Sequence, residues 1–179
     1  MDMTEKKIGS KEIFDGKILH LFVDDVELPN GKQSKREYIR HQGAVCVVPL
    51  TEDGNVIVVD QFRYPFGRVV TEIPAGKIDP GEDPRTAALR ELSEETGVTD
   101  CALEFIGEFY SSPAILTEVI YMYTAKNLTR GALHPDPGEF VEVREVPLET
   151  LVQDIMDGRI KDAKTQAAVL KAYIKEKRV

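Results

Sequence analysis

Apolar and polar positions along the chain repeat with two different periods, and the change of period marks the elements. KILHLFVDDVEL and QSKREYIRH read as strands joined by PNGK, where Asn30 and Gly31 both tolerate positive φ and predict a hairpin. GAVCVVPL and NVIVVDQFR follow on either side of EDGN; valine-rich throughout, they predict paired strands buried on both faces. VVTEIP predicts a short strand ended by Pro74, and AGKIDPGEDP a loop. ALEFIGEFY, TEVIYMYTA and EFVEVREVP predict three more strands, with NLTRGALHPDPG as a long loop before the last. Helices are expected at Pro84–Thr96, Pro147–Met156 and Ala163–Lys175. The first of these has Asp83 as its cap, Pro84 at its first position and Gly97 just past its end. Many strands with three helices, out of βαβ rhythm, predict an α+β fold.

Stepping 100° per residue along Pro84–Thr96 gathers Ala88, Leu89, Leu92 and Thr96 within about 100°, a stripe expected to face the core. Glu91, Glu94 and Glu95 form a second stripe about 100° wide beside it. That placement is locally unfavourable. Like charges at i,i+3 and i,i+4 cost roughly 0.2–0.5 kcal/mol per pair. Acids near a helix C-terminus oppose the macrodipole at roughly 0.3–1 kcal/mol each. Arg90 offsets part of this by pairing with Glu94. Two readings account for the rest: a solvated acidic face, or a hard divalent cation held against the carboxylates together with a phosphate substrate. In the loop before the helix, Gly76 lets backbone approach a metal or phosphate closely, and the Ala75 carbonyl offers a further oxygen ligand. Glu82, just before the cap, is a favourable charge at a helix N-terminus or a part of the site.

Composition narrows the field. The 179 residues fit one domain, and 42% hydrophobic with 30% charged residues is an ordinary globular balance. A net charge of −8 argues against nucleic-acid binding, which needs a basic face. Neither an apolar leader nor a run of ~18 apolar residues is present, so the expectation is a cytoplasmic protein without membrane attachment. Two cysteines make no disulfide framework, and Cys46 in AVCVV reads as core. His20, His41 and His134 are scattered without metal-ligand spacing and read as surface or turn residues. Patterns for P-loop kinases, zinc proteases, serine hydrolases and Rossmann enzymes do not occur.

Gly76, Glu82 and the run Arg90-Glu91-Leu92-Ser93-Glu94-Glu95-Thr96-Gly97-Val98 together resemble the complete Nudix box, 23 residues with every fixed position present. The resemblance implies a Nudix fold, an α/β/α sandwich around a mixed sheet preceded by an N-terminal β-hairpin region. It also implies hydrolysis of a nucleoside diphosphate linked to another moiety, with Mg²⁺ or Mn²⁺. Carried over, Glu91 and Glu95 with Ala75 bind metal, Glu94 supports them, and Arg90 orients the glutamates. Pro113, sixteen residues beyond Gly97, resembles the ADP-ribose pyrophosphatase subfamily, as do VELPNGKQSKRE, HQGAVCVVPL, QFRYP, EIPAGK, EFVEV and DAKT. That subfamily converts ADP-ribose to AMP and ribose 5-phosphate.

The subfamily implies substrate contacts at Arg36, Arg63, Pro113 and Glu118. It implies a homodimer in which residues 1–40 serve dimerisation and the substrate pocket, ahead of a hydrolase domain at 41–179. Tyr38, Phe62, Tyr64 and Phe66 are candidates for adenine stacking, with core packing as the alternative. Two departures stand out. Ser112-Pro113-Ala114 replaces Ser-Pro-Gly, and Pro137 takes the place of the earlier of two loop acids, leaving Glu139 as catalytic base with Asp136 as its rival. The alternatives are hydrolysis of another nucleoside diphosphate derivative, and a sensor that binds ADP-ribose without cutting it.

Overall fold

Residues 1–133 and 140–177 are described by the computed structural model, in two compact units. The first unit comprises Met1–Gly43 and Tyr110–Val119. It holds β1 (Lys6–Asp15), β2 (His20–Glu27) and β3 (Gln33–Arg40), an antiparallel sheet in that order. The β2–β3 hairpin turns as expected. Leu28 N–H donates to Lys32 O and Gly31 N–H to Leu28 O, both at 2.8 Å. Only Gly31 takes positive φ (78°), so this is a type I turn closed by a left-handed glycine rather than a turn left-handed at both residues. β1 was not anticipated: KKIGSKEIFD is almost wholly exposed, so nothing in its pattern alternates, and its strand character comes from pairing with β2.

The second unit comprises Ala44–Phe109 and Ile120–Val179. Its strands start with β4 (Ala44–Pro49), β5 (Asn55–Arg63), β6 (Arg68–Glu72) and β7 (Ala75–Lys77), with a 3-10 turn at Tyr64–Phe66. Helix α1 (Pro84–Thr96) is followed by β8 (Val98–Tyr110), β9 (Val119–Arg130), β10 (Val141–Pro147), α2 (Leu148–Met156) and α3 (Ala163–Glu176). One sheet has the order β10-β5-β6 and the other β7-β4-β9-β8, with β4 parallel to β9 and antiparallel to β7.

β4 and β5 are therefore not ladder partners, contrary to the sequence expectation; between them only Leu50 and Val56 form a bridge, next to the Gly54 turn. Their apolar pattern specified burial on both faces but not the neighbour. The two-residue strand period sorts side chains to opposite sides. Val45 and Val47 of β4 and Ile57 of β5 join Ala87, Ala88 and Leu92 of α1. Cys46 and Val48, with Val56 and Val58, join Leu151, Ile155, Ala168 and Val169 of α2 and α3. The second unit is thus an α/β/α sandwich with mixed strand directions, as expected.

The expected loop at Asn127–Arg130 is instead the end of β9, and AGK, expected as loop, is β7. Asn127 sits at φ 54°, a conformation that asparagine tolerates better than most residues. Three residues are too few for β7 to show a period. No helix among the described residues is long and apolar enough to cross a membrane.

Candidate metal and diphosphate site

Helix α1 starts and stops where the local chemistry dictates. Asp83 Oδ2 accepts from the N–H groups of Arg85 (3.0 Å) and Thr86 (3.2 Å), Pro84 begins the helix, and Gly97 at φ 73° donates its N–H to Ser93 O at 2.9 Å. The helix buries Ala87, Ala88, Leu92, Glu95 and Thr96. Leu89, expected in the core stripe, is 38% exposed, whereas Glu95 is only 5% exposed. The buried face is rotated toward β7 because α1 packs across both β4 and β7.

Two carboxylates lie along β7. Glu95 Oε2 accepts from Ala75 N–H at 3.0 Å, so a buried charge is met by a backbone donor. A β-carbon at Gly76 would stand 1.9 Å from Glu91 Cδ and 2.0 Å from its Oε1. The close approach that Gly76 permits is therefore that of the Glu91 carboxylate.

Arg90 binds the remaining acids. Its Nε and Nη2 donate to Glu82 Oε1 and Oε2 at 3.0 and 2.9 Å, and Nη2 also to Lys77 O at 3.0 Å. Nη1 donates to Glu91 Oε1 at 2.8 Å and Glu94 Oε2 at 3.0 Å. All five guanidinium donors are used. This answers the repulsion seen in the sequence: one cation bridges three acids, and the fork holds them in fixed directions. The hydrogen bond from Arg90 keeps Glu82 below the usual glutamate range. The same acids, Glu82 foremost and then Glu91, raise Arg90 further above its already high value.

Arg63 ends β5 and pairs side-on with Glu72 of β6, Nε to Oε1 at 2.6 Å and Nη2 to Oε2 at 2.7 Å. Lys164 Nζ bonds the same Oε2 and lies 3.1 Å from Asp162 Oδ1. Asp162 caps α3 through Thr165 N–H (2.9 Å), and Thr165 Oγ1 accepts from Ile73 N–H (3.0 Å). Burial raises the Glu72 pKa, but Arg63 and Lys164 outweigh it and hold the group below its usual value. In the sequence, Glu72 and Lys164 stand within EIPAGK and DAKT, with no role assigned to either residue. They lie 92 residues apart, and no periodicity joins them. Cys46 is fully buried and its thiol is pushed up to about 12, so it has no nucleophilic character.

The structure thus gathers Ala75, Arg90, Glu91, Glu94 and Glu95 on β7 and α1, and the Glu95 charge acts on Arg63. Arg36, Pro113 and Glu118 belong to the first unit. Arg36 donates to Glu5 through Nε (2.9 Å) and Nη2 (2.5 Å). Pro113 lies in a turn where Ser112 O accepts from Leu116 N–H at 2.9 Å. Glu118 accepts from Ser111 Oγ and lies 3.5 Å from His41 Nδ1. Glu139, with Asp136, Pro137 and His134, lies outside the described residues. His20, expected without metal-ligand neighbours, has Glu12 and Asp15 close by, with ligand atoms all within 4.8 Å of one another, an exposed group on β1 and β2. Glu91, Glu95 and the main chain of β7 offer oxygen donors alone, the set a hard divalent cation takes.

The family model described as NUDIX domain matches residues 40–170, and one described as nucleoside diphosphate sugar hydrolase N-terminal domain matches residues 5–39. The chain is 46% identical over 176 residues to an ADP-ribose pyrophosphatase of Bacillus subtilis (strain 168), covering 97% of this chain and 95% of the relative. It is 45% identical over 174 residues to a methanol dehydrogenase activator of Bacillus methanolicus, covering 96% and 94%. A crystal structure described as an ADP compounds hydrolase superposes with a TM-score of 0.88 at 22% identity, covering 99% of this chain and 97% of that one, a likeness of fold.

Proposed function

The chain belongs to the NUDIX domain family, and from that premise we propose that it is a pyrophosphatase that hydrolyses ADP-ribose to AMP and ribose 5-phosphate. Hydrolases of this family use divalent metal ions. The reading proposed here is Mg²⁺ or Mn²⁺, held by Glu91, Glu95 and the Ala75 carbonyl. When bound, such an ion neutralises diphosphate charge and activates water.

The observation that carries the reading is the five-bond grip of Arg90 on Glu82, Glu91, Glu94 and Lys77 O beside the Glu95–Ala75 bond. Glu91 and Glu95 are aimed at one stretch of β7. Glu94 is held by Arg90 as a third acid beside them. Arg63 keeps one edge on Glu72 and offers the other to a phosphate oxygen. Glu139, assigned from sequence alone, takes the proton from the attacking water as the P–O–P bridge breaks. Arg36, Pro113 and Glu118 are assigned to the nucleoside and distal sugar.

Two wider assignments accompany this. A homodimer in which residues 1–40 contribute to dimerisation and the pocket is supported by Ile8, Ile13, Phe14, Ile18 and Leu19, all exposed on or beside β1 and β2. Light scattering tests it: a monomer at micromolar concentration rejects it. A cytoplasmic location is supported by the soluble character of the composition.

Incubation with ADP-ribose and other nucleoside diphosphate sugars, with Mg²⁺ or Mn²⁺, tests the reaction by the release of AMP. ADP-ribose among the poorest substrates would reject the substrate, and binding of ADP-ribose without AMP would favour a sensor. The activator from Bacillus methanolicus carries a second reading, action on a partner protein. Full AMP release by the isolated chain separates the hydrolase from a role that exists only with a partner.

A further inference from the structure

Arg63, Glu72, Lys164 and Asp162 form a chain of alternating charge from the end of β5, through β6, to the start of α3. Its middle is buried: side-chain exposure is 3% at Glu72 and 14% at Lys164, against 39% at Arg63. Arg63 spends Nε and Nη2 on Glu72. Among the described residues its Nη1 has no hydrogen-bond partner, and Arg63 is the most exposed side chain of the four.

We infer that Lys164 is a positioning residue for the diphosphate site: by sharing Glu72 Oε2 it fixes the carboxylate that aims Arg63 Nη1 at a phosphate oxygen beside Glu95. The inference rests on the diphosphatase reading above. An Arg–Glu pair would by itself hold β5 to β6. The additional cation does something different. Glu72 and Asp162 are two acids on either side of Lys164 Nζ. Without that ammonium, Arg63, on which both acids already act, would be drawn toward them and away from a phosphate. With Lys164 present, the charge of Glu72 is divided between two cations, and the guanidinium keeps attraction to spare for an anion.

The test is a double-mutant cycle on the full-length protein, with Lys164→Gln and Arg63→Gln alone and together. Lys164→Gln drops the charge yet keeps a donor for Glu72; Lys164→Met serves if Gln does not fold. Lys164→Gln is expected to raise KM for ADP-ribose about tenfold, the scale of coupling within one shared network. kcat should stay within about twofold, the signature of lost uniform binding. Mn²⁺ binding to the free protein should be unchanged. In the Arg63→Gln background the same substitution should change nothing further. Additive losses, or a fall in kcat at constant KM, would overturn the inference and leave a structural role. Failure of the functional reading shows separately, as no AMP from any nucleoside diphosphate with the wild type. The cycle is then read by equilibrium binding of ADP-ribose with Mn²⁺, where the same non-additivity is required.

Discussion

The Glu91 carboxylate fills the place where Gly76 would carry a β-carbon, with Cδ 1.9 Å from the ideal position. Gly76 does not adopt positive φ, so its backbone would accept alanine without strain. The obstacle is the tip of one side chain, which can swing away. Gly76→Ala is therefore expected to keep or slightly raise the melting temperature, since alanine has less chain entropy to lose in a strand. It should also displace Glu91 from Arg90 Nη1 and weaken Mn²⁺ binding about 10–100-fold, as loss of an orienting contact does. Calorimetric titration and thermal denaturation of one variant decide this. A parallel loss of both quantities would mean that Gly76 serves packing.

Glu95 is the most buried acid of the helix and answers to the Ala75 N–H. Glu95→Gln preserves size and can keep that bond through its carbonyl oxygen. Turnover is expected to fall on the order of 10²–10³-fold or more, the scale of a lost electrostatic contact to the reacting group. Without metal the variant should be as stable as the parent or slightly more so, because one like-charge pair at roughly 0.2–0.5 kcal/mol is removed. A near-normal rate would reject Glu95 as a metal ligand.

Arg90 is a cation shared by three acids, and lysine cannot replace its fork. Arg90→Lys and Arg90→Gln should each lower kcat/KM by about 10–100-fold, since both leave the acids unoriented. The pH dependence should change sign. In the parent, Glu82 is held below its usual value, so its contribution is present above pH 4.5 and is lost as pH falls through the folded-state value. In Arg90→Gln the clustered acids repel one another and their values rise. That variant should gain stability relative to the parent as pH falls from 7 toward 5. Melting curves at three pH values suffice, and parallel curves for both proteins would contradict the clamp.

How much of this could be read from the sequence depends on whether the information was local. Helix α1 has the expected bounds because Asp83, Pro84 and Gly97 act within one turn of its ends. The acids of the box were legible for the same reason. The rotation of the buried face, which exposes Leu89 and buries Glu95, was not, because it depends on how α1 meets β7, a strand of three residues without a period. β1 was missed because its strand character is lent by β2. The pairing of β4 and β5 was misjudged because two doubly buried runs carry no mark of which neighbour each will choose. The Arg63–Glu72–Lys164 chain joins segments 92 residues apart, and only the fold brings them together.

Glu72 gives the sharpest stability test. It is 2% exposed, bridged by Arg63 and Lys164, and held below its usual value despite its burial. A lowered folded-state value means the unfolded chain binds a proton more readily, so protonation favours unfolding. The contribution of Glu72 is full above pH 4.5 and should disappear as pH drops through the folded-state value. Glu72→Gln removes that acid-side slope and at neutral pH leaves Arg63 and Lys164 as adjacent cations with no shared anion. A cost of about 3–5 kcal/mol is expected at pH 7, the range for breaking a buried pair from one side. Because the parent loses its own contribution in acid, the gap between the two should narrow steadily below pH 4.5. Urea denaturation of both proteins at pH 7 and near pH 4 measures this. A gap that stays constant across that interval would mean that folding leaves the proton affinity of Glu72 unchanged, so that Arg63 and Lys164 do not hold it down.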